Sequence, residues 1–185
     1  MLRKLSEFFR GREIPPVAPK ASTFGQVWDE ESYADCLREQ LAAHEESALG
    51  KLHKAIDALP QKAESLSIGV HLSQDEDGSF TIRMHANGPD LYVLNKAIDP
   101  WAVLFDGRAH GFQDVPANMP GFDPCDLPFD VASTIATESV AWLRGLWQRA
   151  SLPGFELPVA VFVENGWTEE LTAPITLQEG DTGAD

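Results

Sequence analysis

The stretch LSIGVHLSQDEDGSFTIRMHA, residues 66–86, decides how this chain is read. Leu66, Ile68, Val70 and Leu72 alternate with Ser67, Gly69, His71 and Ser73. After Asp75-Glu76-Asp77-Gly78 the alternation resumes, with Phe80, Ile82, Met84 and Ala86 set against Ser79, Thr81, Arg83 and His85. A period of two puts one set in the core and the other in water, which is the pattern of an antiparallel hairpin. The apolar residues of both strands are even-numbered and must share a face, so directly opposed residues have an even sum and a two-residue loop is excluded. A three-residue loop, Glu76-Asp77-Gly78, meets this condition with Gly78 in the left-handed position. It predicts His71 opposite Arg83 and His85 diagonal to His71, all three on the solvent face. The acidic run is not a calcium loop, because Ser79 and Phe80 return to strand alternation where further oxygen ligands would be needed.

Toward the C-terminus, Leu157 to Val163 is nearly all apolar, as expected of a strand buried on both faces. Glu164-Asn165-Gly166 reads as a turn, and Trp167 to Leu177 alternates again, giving a second hairpin with Gly166 in the left-handed position. Pro174 cannot donate to a ladder and points to an edge strand. Asp90 to Asn95 and Trp101 to Phe105, rich in Tyr, Val, Leu and Trp, read as two more short strands. Asp29 is a good N-cap for a helix whose apolar positions run Tyr33, Leu37, Leu41, His44, Ala48, Leu52, Ile56, Leu59 and stop at Pro60, with Gly50 as the place where it would divide. Asp126 caps a second helix with Pro128 in its first turn, apolar from Phe129 to Trp147 and ended by Leu152-Pro153-Gly154. The expected fold is α+β: a mainly antiparallel twisted sheet of about six strands in two clear hairpins, with the long N-terminal helix and the helix of the C-terminal half packed on it.

The chain has 185 residues and two cysteines, enough for one core without disulfides. Residues 1–12 read as a short basic amphipathic helix, with Leu2, Leu5, Phe8 and Phe9 on one side. Residues 13–27 form a Pro-rich linker, 28–178 a single acidic α+β domain and 179–185 an acidic tail. Residues 1–20 hold five basic and two acidic side chains, a net +3, leaving −18 on residues 21–185 out of a total of −15. So acidic a body does not suit nucleic acid, whose phosphates call for a basic face. No apolar run reaches the length of a membrane span, no secretion signal is legible, and a cytoplasmic location is the expectation.

No glycine-rich phosphate loop, nucleophile elbow, paired-Cys pattern or HExxH helix is present, and neither a cofactor nor a metal is expected from motifs. Three groups of residues remain as candidates. His71, Arg83 and His85 share the wet face of the first hairpin, where an anion or a metal would find them. The proline-punctuated loop 106–126 holds His110, Asp114, Asp123 and Cys125; His110 could serve as a base oriented by a carboxylate, and Cys125 stands ahead of a helix N-terminus but between two aspartates that oppose its ionisation. Leu2, Leu5, Phe8 and Phe9 could rest on a membrane surface or dock on protein. The leading expectation is a non-enzymatic binding protein whose acidic surface engages a basic protein partner, an immunity or antitoxin-type inhibitor being one concrete form. The alternatives are a small enzyme or small-ligand protein using the 106–126 loop, and a peripheral membrane protein tethered by residues 1–12.

Overall fold

The computed structural model describes residues 28–74, 77–107, 120–164 and 175–176. The first hairpin is formed by β1 (Ser65–Leu72) and β2 (Phe80–Asn87). Its register runs from Ser65 opposite Asn87 to Leu72 opposite Phe80, and Leu66, Ile68, Val70, Phe80, Ile82, Met84 and Ala86 are all buried. The parity argument therefore holds, but the register is two residues away from the one expected. His71 faces Thr81, and Arg83 faces Gly69. The pairing closes with the Ser73 amide donating to the Ser79 carbonyl at 2.9 Å, which leaves five residues in the loop rather than three. Gly78 does take a positive φ of 85°. The wider loop is held from outside: the Phe122 amide donates to the Asp77 carbonyl at 3.0 Å, and the Phe122 ring packs on Gly78.

The strand expected over Asp90 to Asn95 is not formed, and the one expected over Trp101 to Phe105 starts two residues later. Leu91–Ala102 is a helix, α3, and the strand that follows it, β3, is Val103–Gly107. Asp90 caps α3 by accepting the Val93 amide at 3.2 Å, and Leu94, Ile98 and Ala102 are buried at helical spacing. The local β-propensity of Tyr92, Val93 and Trp101 is overridden because a helix here covers the open edge of β2. Asn95 makes the contact: its Oδ1 accepts the Ala86 amide at 3.0 Å and its Nδ2 donates to the Ala86 carbonyl at 2.8 Å, doing for β2 what a neighbouring strand would do. Between Ile82 and Arg83 the ladder to β3 slips, leaving Leu104 as the extra residue of a bulge, and both Leu104 and Phe105 are buried.

The N-terminal helical region divides at His44, not at Gly50. The two helices are α1 (Glu30–Ala43) and α2 (Glu45–Asp57), with Gly50 inside α2. The His44 ring packs edge-on against Phe105, centroids 5.3 Å apart, and its Nδ1 lies 2.7 Å from the Gln40 carbonyl. A side chain anchored in this way ends the first helix and lets the second turn across the sheet. The last helix, α4 (Val131–Ala150), begins later than expected. Asp130 rather than Asp126 is its N-cap, accepting the Ser133 amide at 2.9 Å. It ends at Ser151, in the left-handed region at φ 42°, where the His53 ring meets the Ala150 carbonyl at 2.8 Å.

The sheet is mixed. Its order is β3-β2-β1-β4-β5, where β4 is Val159–Glu164 and β5 the two residues Ile175–Thr176. Four strands of substance, rather than six antiparallel ones, are therefore described, and β4 runs parallel to β1, with Gly69 beside Phe162. The parallel pairing follows from α4, which carries the chain across the sheet before β4 begins. Val159, Val161 and Val163 are buried while Ala160 and Phe162 are half-buried, so β4 has one core face and not two. β5 pairs antiparallel to β4 at the sheet edge, as Pro174 implied, though the turn with Gly166 lies outside the described residues. The inner face of the sheet and the buried sides of all four helices make one core.

Candidate functional site

Gly69 stands in the middle of the sheet, opposite Arg83 of β2 and beside Phe162 of β4. A methyl group there would lie 2.5 Å from Nε2 of His71 and 2.5 Å from Cζ of Phe162. The space a side chain would take is thus filled by the rings of its neighbours. His71 folds back over Gly69, and although His85 faces Ser67, four residues from the partner of His71, the two Nε2 atoms meet at 2.8 Å. Phe162 backs both imidazoles, 5.6 Å from the His71 centroid at right angles and 5.9 Å from that of His85. This separation is that of a hydrogen bond between the two rings, with the donor set by the tautomer.

The structure therefore brings together two of the three residues predicted on this face. Arg83 does not join them: its Nη2 donates to Asp99 of α3 at 2.5 Å. On the far side of His85, Asn87 donates to Ser67 Oγ at 2.5 Å and to Ser65 Oγ at 3.3 Å. Sequence reasoning passed over Gly69 and Phe162. The signal was present in Gly69, since a glycine inside a strand marks a close approach. Phe162 was read as core because its parallel partner could not be foreseen.

A second feature lies between α1 and α4. Glu30 and Glu31, in the first turn of α1, and Glu138, Ser133 and Thr137 of α4 line a groove of about 360 Å³. Glu138 accepts from Arg38 Nε at 3.1 Å, and Arg38 also reaches Asp35 at 2.5 Å. Glu30 and Glu31 belong here for a local reason as well, because carboxylates favour the positive end of a helix.

A third feature is a mostly apolar cavity of about 570 Å³ between the end of the hairpin and the start of α4. Leu72, Gly78, Leu127, Val131, Ala132 and Ile135 line it, with Ser73, Gln74, Ser79 and Asp130 as its polar edge. Its volume is within the range of small-molecule sites.

The loop candidates are only partly visible. Asp123 accepts the Cys125 amide at 2.9 Å, and the Asp126 amide donates to the Asp123 carbonyl at 2.9 Å, so these residues form a turn. Cys125 is exposed and stands six residues before Val131, so the expected position at a helix N-terminus is corrected. His110 and Asp114, like Leu2, Leu5, Phe8 and Phe9, lie outside the described residues. No described helix is long and apolar enough to cross a membrane.

Compared with known proteins, residues 28–179 match the model of a family of unknown function, DUF6389. No curated protein matches the chain, and no solved structure does.

Proposed function

We propose that this chain, which belongs to the DUF6389 family, is a binding protein whose acidic surface engages a basic protein partner through the groove between α1 and α4. The groove carries this reading: it sets the carboxylates of Glu30 and Glu31, beside a Glu138 already paired with Arg38, around a space of about 360 Å³ that a lysine or arginine side chain would enter. Thr137 and Ser133 add hydroxyl acceptors beside them. The −18 of residues 21–185 supplies the longer-range field that speeds encounter with a cationic surface. An immunity or antitoxin-type inhibitor of a cationic protein is the concrete form.

The test is capture by the full chain at low salt, followed by a salt titration and by the double variant Glu30→Lys/Glu31→Lys. Capture that weakens steeply with ionic strength and is lost on charge reversal supports the groove. A partner retained by the variant, or held equally in high salt, refutes it.

The apolar cavity favours a second reading, a small apolar ligand held between Leu72, Leu127 and Ile135. Fluorescence of an apolar dye with the wild type and with Ala132→Trp, which fills the space, distinguishes the two. Equal dye binding by both proteins removes the cavity from consideration.

A further inference from the structure

We propose that His71 and His85 bind one divalent transition-metal ion, of the zinc or copper kind, on the face of the sheet opposite the helices. The two Nε2 atoms lie 2.8 Å apart and the ring centroids 5.0 Å apart, so the imidazoles point at one another. A tetrahedral ion with bonds of about 2.0–2.1 Å would hold two such nitrogens about 3.3 Å apart, so chelation requires each ring to turn its Nε2 toward a shared apex as the pair parts by about half an ångström. Both rings are half-buried rather than part of the core, and turning them moves Phe162 with them.

Three surroundings favour a metal over a fortuitous ring contact. Gly69 gives up a side chain in a central strand, where glycine weakens a sheet, and the rings take that space. Phe162 forms an apolar wall behind both imidazoles, the kind of surround that shields a ligated ion. Arg83, the cation nearest in register, is paired with Asp99, so its charge is compensated beside the site. Imidazole pairs select zinc, copper or nickel, whereas magnesium and calcium want oxygen. Among the described residues no cluster of three His, Cys, Asp or Glu exists, so those residues supply two ligands and the ion's other positions stay open to water or a further group. A two-histidine ion with open positions can be bridged by a partner's side chain, and it lies on a different face from the α1–α4 groove.

The experiment is zinc titration of the full chain by calorimetry, with crystals soaked in zinc for anomalous diffraction. One equivalent is expected, with an anomalous peak between the two rings, and magnesium should give no heat. His71→Gln and His85→Gln should each weaken zinc binding at least tenfold while leaving the circular dichroism unchanged. Binding that survives both substitutions overturns the proposal. So does a zinc peak elsewhere, or none, in wild-type crystals, and that result decides the matter even if a variant fails to fold.

Discussion

Gly69 and Phe162 are register partners across the parallel pair β1–β4, and a methyl group on the first would stand 2.5 Å from Cζ of the second. The same methyl would stand 2.5 Å from Nε2 of His71. Both neighbours are ring tips, yet they are packed against each other and against His85, so one cannot yield without moving the rest. Gly69→Ala is expected to cost about 1–3 kcal/mol, the usual range for forcing extra volume into a filled space. Urea denaturation measures it. A variant as stable as the wild type would show that the ring cluster is loose.

Asn95 substitutes for a strand. It satisfies both the amide and the carbonyl of buried Ala86, and no shorter side chain reaches them. Asn95→Ala leaves that backbone pair without its partner, at a cost of about 1–3 kcal/mol. Amide hydrogen exchange gives the sharper readout: Ala86 should lose protection, while amides in the middle of α4 should change little.

Tyr33 poses the opposite case. Its ring is fully buried between Phe122 and Phe129, but its hydroxyl has no hydrogen-bond partner among the described residues. Burial, with smaller contributions from Cys36 and Asp77, pushes its ionisation well above the ordinary tyrosine range. Tyr33→Phe removes an unsatisfied polar atom and keeps the ring, so stability should hold or rise, by up to about 1 kcal/mol. The pH dependence has a definite sign. A folded-state pKa above the unfolded value means that stability is full below about pH 10 and falls as pH rises beyond it. Thermal unfolding across pH 8–11 should show that decline in the wild type and less of it in Tyr33→Phe.

Asp29 titrates the other way. The Ser32 hydroxyl, and after it the Ser32 amide, donate to its carboxylate and lower its pKa. The contribution to α1 is therefore present above the ordinary aspartate value and is lost as pH falls through the depressed one. Ser32→Ala should raise the Asp29 pKa toward the ordinary value, read by NMR titration of the carboxyl carbon, and should fray the first turn of α1. An unchanged titration would mean that the amide alone sets it.

Much of the chain was legible because its signals are short-range. The alternation in residues 66–86 identified the hairpin and its buried face, and Asp29 announced the start of α1. The two histidines were placed on the correct face for the same reason, since parity does not depend on register. Misreadings arose where a distant element outweighed local preference. Leu91–Ala102 carries residues that favour strands, yet it is a helix because Asn95, Leu94 and Ile98 complete the edge of β2 and the core. His44, not Gly50, divides the first helical region because Phe105, sixty-one positions away, receives its ring.

Side-chain period and capping chemistry are written in neighbouring residues, and from them alone came an α+β chain with an inward apolar set, an acidic body and histidines left on the outer face. What lies next to what across the sheet is written nowhere locally. The parallel seat of β4 against β1, the two-residue shift of the hairpin and the meeting of His71 with His85 over Gly69 each require segments far apart in the chain to pack together. Their positions follow from how the whole core fills its volume, and that is a property of the folded molecule rather than of any stretch of its sequence.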